Sequence, residues 1–420
     1  MANIDKVYVY ENWSGRTPNK IGTLYIDGGK GKEVISFEYD EKWLTKADRS
    51  FVFDPDLSLF RGRQYTPLDK PMFGVFADSC PDRWGRLLMK RREAILAKKE
   101  DRKPRRLTEI DFLLGVNDET RMGALRFSEL ENGPFVADDK DFATPPWTTL
   151  RKLESASLAF EKNDDGMEDK WIKQLIVPGS SLGGARPKAS VVAPDESLWI
   201  AKFPSKQDDV NVGAWEMVVH KMAALCGLNV PEAKLESFSQ TGSTFLTKRF
   251  DRERKQRIHF ASAMTLLGKN DGASATDGSS YLDIVSLIRK YGSTPKKDLH
   301  ELWRRIVFNM AVSNTDDHLR NHGFLLSNEG WKLSPVYDVN PNAEGDALSL
   351  NVDENSNSID FELALSVARL FEVTEKQAIE EMNEIKNVVE TNWRSLAQQC
   401  GLSRSEIEDM SPAFDMAFKS

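Results

Sequence analysis

The chain has 420 residues, with 57 Lys+Arg against 65 Asp+Glu and a formal charge of −8. At roughly 150 residues per domain that length supports two or three domains, and 40% hydrophobic with 10% aromatic residues excludes disorder over most of the chain. No apolar run approaches the ~20 residues that a bilayer span needs, and MANIDKVYVYENW lacks the residue order of a signal peptide. Three scattered cysteines, Cys80, Cys226 and Cys400, make neither a disulfide framework nor a zinc spacing, so a cytoplasmic protein is expected.

The first forty residues alternate as strands. Val7 and Val9 precede a turn, Leu24 and Ile26 lead into Asp27-Gly28-Gly29, and 34–39 follows as the second arm of a hairpin. Near residue 80 the period becomes helical, with Trp84, Leu87, Leu88 and Ile95 on one face. From Arg83 to Arg106 eleven basic residues stand against Glu93, Glu100 and Asp101, a local excess of eight. This is either a solvated face or a contact surface for phosphates or an acidic partner. The acidic, Pro-containing 137–147 marks the main boundary.

Beyond it, 190–203 reads as two strands around Pro194-Asp195. Residues 212–226 read as a helix with Trp215, Val218, Val219, Met222 and Leu225 on one face, and 245–249 as a short strand. After about residue 280 helical patterns dominate. Thr374 with Gln377 and Ser403 with Glu406 have capping-box spacing, and Ala378, Met382, Ile385, Val389, Trp393, Leu396 and Cys400 trace one long helical face. The expected class is α+β: a mostly-β N-terminal subdomain over 1–145, then 146–420 with a small sheet (about 165–255) and a large helical lobe (about 256–420).

Four segments carry chemistry. In 179–188 (GSSLGGARPK), paired glycines let backbone N–H groups approach a phosphate, with hydroxyls and cations alongside. Lys202 lies in the strand-like 199–204, where an inward ammonium needs an anion. A nucleotide phosphate or Glu216 on the next helix would supply one. In 313–323, Asp316 and Asn321 have the D-x-x-x-x-N spacing of a kinase catalytic loop, with Asp317, His318 and His322 between and beside them. Asp338 follows an apolar strand, where a magnesium-binding aspartate would sit. In this order the segments supply what phosphoryl transfer requires.

The chain resembles the HipA family, the serine/threonine kinase toxins of bacterial HipBA-type toxin–antitoxin pairs. The likeness runs through 35–43 (ISFEYDEKW), 82–87 (DRWGRL), 123–126 (GALR), 181–188 (SLGGARPK), 200–204 (IAKFP), 227–231 (GLNVP), 248–252 (KRFDR), 316–321 and 337–339. The resemblance implies a protein-kinase-like domain that uses ATP and Mg2+. Ser181, Gly183, Gly184, Ala185 and Lys188 would line the Gly-rich loop, and Lys202 would hold phosphates with Glu216 orienting it. Lys248, Arg249 and Phe250 would form the hinge beside adenine, Asp316 would be the catalytic base, and His318 would lie near the nucleotide. Asn321 and Asp338 would ligate the metal. Ser181, with Ser180 beside it, matches the serine that family members autophosphorylate to shut themselves down.

It further implies neutralisation by a HipB-like helix-turn-helix antitoxin dimer, operator DNA bound through that complex, and growth arrest and persistence through phosphorylation of glutamyl-tRNA synthetase or another translation factor. Arg186-Pro187 and Asp317 depart from the family pattern. Two other readings compete: a DNA-bound corepressor subunit resting on the basic stretch, and a metal-dependent phosphohydrolase built on Asp316, Asp317, His318 and His322.

Overall fold

The computed structural model describes residues 4–15, 17–28, 33–45, 51, 53–137, 144–162, 175 and 184–418. The strands are β1 (Lys6–Glu11), β2 (Asn19–Asp27), β3 (Val34–Tyr39), β4 (Gln64–Tyr65), β5 (Leu125–Ser128), β6 (Lys188–Val192), β7 (Leu198–Lys202), β8 (Ala233–Glu236), β9 (Thr244–Lys248), β10 (Arg252–Glu253), β11 (Gln256–Arg257), β12 (Phe260–Ser262), β13 (Gly323–Ser327) and β14 (Gly330–Leu333). The principal helices are α1 (Arg83–Lys99), α2 (Leu150–Glu161), α3 (Val212–Leu225), α4 (Tyr281–Tyr291), α5 (Pro295–Ala311) and α6 (Glu375–Gln399). The class is α+β, as expected. Two compact units emerge, one of residues 1–201 with 251–261, the other of 202–250 with 262–420.

The first unit is organised by a five-stranded sheet in the order β4-β3-β2-β1-β5. The expected hairpin is present, with Asp27 opposite Val34, and β1 runs antiparallel to both β2 and β5. One face of the sheet buries Val7, Val9, Leu24, Ile35 and Phe37 against Phe73, Phe76 and Leu113. At ~25 cal/mol per Å2 of apolar surface, full burial of each such side chain is worth roughly 1.5–3 kcal/mol.

Helix α1 starts at Asp82, whose carboxylate accepts from the Gly85 N–H at 2.8 Å. Trp84 and Leu88 face inward, whereas Leu87 is half exposed rather than on the buried stripe. The basic stretch is partly internal: Arg86 makes a bidentate pair with Glu109, Arg102 holds Glu93 and Glu100, and Arg105 holds Asp111. The β6–β7 turn forms at the expected place, with the Ala193 N–H donating to the Ser197 carbonyl and the Asp195 carboxylate accepting from the Ser197 N–H.

Residues 251–261 return to this unit as a small hairpin, β10 against β11. The Asp251 carboxylate accepts from the Gly123 N–H at 2.8 Å, and the Arg252 guanidinium donates to the carbonyls of Glu119, Arg121 and Gly123. Arg257 and Arg126 both close on buried Asp118. Burial alone would raise the Asp118 carboxyl, but Arg257 and Arg126 outweigh it and hold the group below its ordinary range.

In the second unit, β8 and β9 form one hairpin and β13 and β14 another, and helices supply most of the core. The long face of α6 is buried as its periodicity requires, and Trp393 stacks on Phe414 at 4.5 Å. Ser403 and Glu406 complete their capping box. At Thr374 only the cap to the Gln377 N–H forms, because the Gln377 amide turns to Glu381 instead. Helix α3 is buried nearly all round from Gly213 to Val219, while Leu225, assigned to its inner face by period, is 53% exposed at the helix end. Gly213 is fixed by a close approach: a Cβ there would sit 2.1 Å from the Ser243 carbonyl oxygen. Gly213→Ala is expected to destabilise the fold by about 2 kcal/mol, read as a lowered melting temperature.

Candidate active site

Lys202 ends β7 with its side chain turned inward and only 7% of the residue exposed. Its ammonium donates to Glu216 Oε1 at 2.6 Å and to Asp338 Oδ1 at 2.7 Å. Burial by itself would push this amine down; the charge of Asp338, then that of Glu216, overrides it and holds Lys202 above the ordinary lysine range. Glu216 sits in the middle of a buried helix face with that ammonium as a counter-ion. The three residues form one charge cluster with a fixed cation at its centre.

Asp338 has φ +57°, a left-handed conformation that costs a non-glycine residue on the order of 1 kcal/mol. The Val336 N–H donating to the Asn229 carbonyl at 2.7 Å and the Tyr337 hydroxyl donating to the Arg320 carbonyl at 2.6 Å hold the segment there. The second contact ties the Asp338 segment to the Asp316–Asn321 loop.

In that loop Asp316 presents a carboxylate that is 88% exposed. The Asn321 amide donates to the Asp316 carbonyl at 2.9 Å, which leaves the Asn321 side-chain oxygen buried without a hydrogen-bond partner. A buried acceptor left over after its own amide is satisfied is what a hard cation would take up, and the Asp338 carboxylate is the same donor type. These residues therefore fit a magnesium ion. His318 is one-third exposed, with Nε2 at 4.0 Å from Asp316 Oδ1.

Asp317 does not join them. It is 4% exposed and accepts from the Tyr281 hydroxyl, Asn309 Nδ2 and His322 Nε2 at 2.7, 2.8 and 2.9 Å. Burial would raise its pKa, but His322 and the Tyr281 hydroxyl keep it ionised, below its ordinary range. The second acid of the loop is thus an interior group, and His322 faces it rather than a ligand position shared with Asp316 and His318. Among the described residues no group of three His, Cys, Asp or Glu side chains is arranged to hold a metal.

Lys248 ends β9, its N–H donating to the Glu232 carbonyl at 2.8 Å and its ammonium 3.4 Å from the Glu232 carboxylate. Arg249 is buried, and the Phe250 ring lies 5.6 Å from that of Tyr337. Gly184 (φ +73°), Ala185 and Lys188 fall in the first unit. There Lys188 is 3% exposed and its ammonium is engaged by Asp82 Oδ2 at 2.7 Å, an anchoring contact at the start of β6. Ser180, Ser181 and Gly183 lie outside the described residues. Tyr281 and Asn309 were not singled out by the sequence. The available signal was a polar Asn309 beside apolar Ile306 and Met310 on α5.

A strand lysine paired to a helix glutamate, an Asp…Asn loop and a following aspartate on one scaffold constitute a protein-kinase-like fold. Residues 180–393, just over half of the chain, match the model of the HipA-like C-terminal domain, and the chain belongs to that family. It is 31% identical over 183 residues to Y4mE of Sinorhizobium fredii, which bears a provisional kinase name, covering 38% of this chain and 41% of that one. Against the serine/threonine-protein kinase toxin HipA of Shewanella oneidensis it is 23% identical over 264 residues, 55% of this chain and 59% of the toxin. In fold it matches a chain from the Shewanella oneidensis complex of HipA, HipB and operator DNA, with a TM-score of 0.66 at 16% identity, over 97% of this chain and 95% of that one. The chain spans about half the length of the curated relatives it matches.

Proposed function

We propose that the protein is an ATP- and Mg2+-dependent serine/threonine protein kinase acting as the toxin of a HipBA-type pair. The observation that carries this reading is the Lys202–Glu216–Asp338 charge cluster, held in a unit whose Asp316–Asn321 loop exposes one carboxylate and buries one unsatisfied amide oxygen. Lys202 is the fixed cation for nucleotide phosphates, and Glu216 keeps it charged and aimed. Asp316 accepts the proton of the acceptor hydroxyl as it attacks, because it is the loop's carboxylate that is open to an incoming substrate. Asn321 and Asp338 hold the magnesium ion, which when bound neutralises phosphate charge. Lys248–Phe250 form the adenine-side hinge, His318 lies near the nucleotide, and the Gly-rich segment with Gly183, Gly184 and Ala185 is assigned to nucleotide binding.

In this reading residues 1–145 are the family's N-terminal subdomain and 146–420 the kinase domain. Ser181 is the autophosphorylation site that inactivates the enzyme, with Ser180 as its neighbour. A HipB-like helix-turn-helix antitoxin neutralises the protein and brings it to operator DNA, so the corepressor role accompanies the kinase rather than replacing it. The substrate is a cytoplasmic protein of translation. The test is incubation with γ-labelled ATP followed by mapping of the label. Label is expected on Ser181, and Asp316→Asn is expected to lower its rate by about 10³-fold or more while ATP binding, read by thermal shift, persists. Undiminished labelling of that variant would remove Asp316 from the role of base.

A further inference from the structure

Asp317 stands between the exposed carboxylate of Asp316 and the rest of the loop, yet its own carboxylate points into the protein. One of its oxygens, Oδ2, accepts all three donors, from Tyr281 at the start of α4, Asn309 on α5 and His322. The contacts run on. Asn309 Oδ1 accepts from Asn314 Nδ2 at 3.0 Å, and Asn314 Oδ1 accepts from the Asn340 N–H at 3.3 Å. The carbonyl of His322 accepts in turn from the Ala263 N–H at 2.7 Å. A small cavity backing the loop is lined by Asn309, Asp317, Asn321 and His322 together with Val336 and Val339.

The network touches the two segments that bear the proposed proton acceptor and the proposed metal-binding residues. Asp317 adjoins Asp316, His322 adjoins Asn321, and Asn340 is two residues beyond Asp338. We infer that Asp317 is a positioning residue, the hub of a buried network that sets the proton acceptor Asp316 and the metal-binding Asn321 and Asp338 in mutual register. The inference rests on the phosphotransfer reading above. The physical argument is one of alternatives. Apolar side chains of similar volume could fill this space with equal or greater stability, because burying a carboxylate forfeits its hydration. What apolar packing could not do is fix direction. Three donors converging on one oxygen allow only one placement of the loop backbone, and a base or a metal ligand displaced by about 1 Å can cost on the order of 100-fold in rate. Two residues with left-handed φ adjoin the network, Ser313 next to Asn314 and Asp338 two residues before Asn340.

Asp317→Asn keeps the shape and removes the charge that His322 meets. With the full chain at saturating ATP and magnesium, kcat for phosphoryl transfer is expected to fall about 100-fold, with KM for ATP and metal-free binding of a fluorescent ATP analogue each within about three-fold of the parent. Tyr281→Phe removes a single donor and is expected to lower kcat about five-fold at unchanged KM and melting temperature. If the parent protein transfers no phosphate to any acceptor, the phosphotransfer reading itself fails. If the parent is active and Asp317→Asn keeps kcat within three-fold, or raises KM while kcat holds, the positioning role is overturned. Should Asp317→Asn fail to fold, Tyr281→Phe decides, and a parent-like kcat in that variant overturns the proposal.

Discussion

Lys202→Met is expected to abolish phosphoryl transfer, with a loss of at least about 10³-fold, and to weaken the fold in the same step. The two effects share one cause. In the parent the ammonium is contacted at 2.6 Å by Glu216, whose side chain is 5% exposed, and at 2.7 Å by Asp338. Methionine fills the same volume but leaves both carboxylates without their cation, and breaking a buried pair from one side costs roughly 3–5 kcal/mol. Asp338→Asn separates chemistry from stability. It keeps the Lys202–Glu216 pair and an amide oxygen that can still accept from the Lys202 ammonium, while removing the negative charge assigned to the metal, so activity should fall as far while the melting temperature falls less than in Lys202→Met. Measuring phosphate transfer and thermal unfolding side by side on both variants checks the assignment. An active Asp338→Asn, or a Lys202→Met as stable as the parent, would contradict it.

The sequence marked the groups proposed to meet a ligand more clearly than those that meet one another. Lys202, Glu216, Asp316, Asn321 and Asp338 were legible because each is a polar residue at a place where local pattern calls for an apolar or turn residue, and because their order along the chain is itself informative. The contacts of Lys188 were not. An ammonium beside a Gly-rich segment reads as a phosphate ligand, whereas its partner Asp82 lies 106 positions away and is visible only once α1 is folded. Asp317 was obscured for the same reason: its partners sit on α4 and α5, and no local spacing marks an interior carboxylate. The basic stretch shows the converse. Eleven charges read as a solvated face or a surface for phosphates, whereas Glu109 and Asp111, just beyond the stretch, neutralise Arg86 and Arg105. Periodicity erred only at helix ends and edges, where Leu87 and Leu225 meet solvent although their phase is inward.

The first unit should show two opposing pH responses that only substitution can separate. His259 is 1% exposed and lies parallel to Trp13 at 4.6 Å and Phe53 at 5.7 Å. Burial among these rings pushes its pKa from 6.5 down to about 3. A base whose folded pKa is lowered contributes stability that is whole above pH 6.5 and drains as pH falls toward 3, a loss of about 3 kcal/mol by pH 4. Asp54, next in sequence to Phe53, is 2% exposed. Burial pushes its carboxyl from 3.8 up to about 6, against the N–H donors of Val75 and Asp56. An acid whose folded pKa is raised contributes stability that is whole below pH 3.8 and lost as pH rises through 6, a gain of about 2 kcal/mol on going from pH 7 to 4. The two slopes nearly cancel in the parent. His259→Phe keeps an aromatic ring beside Trp13 and Phe53 and removes the titrating nitrogen, so its stability relative to the parent should improve by about 3 kcal/mol between pH 7 and pH 4. Asp54→Asn should move the other way, losing about 2 kcal/mol relative to the parent over the same interval. Denaturant unfolding at a series of pH values reads both, and groups common to parent and variant drop out of the differences. Curves that stay parallel to the parent's would mean that neither group changes its protonation on unfolding in this range.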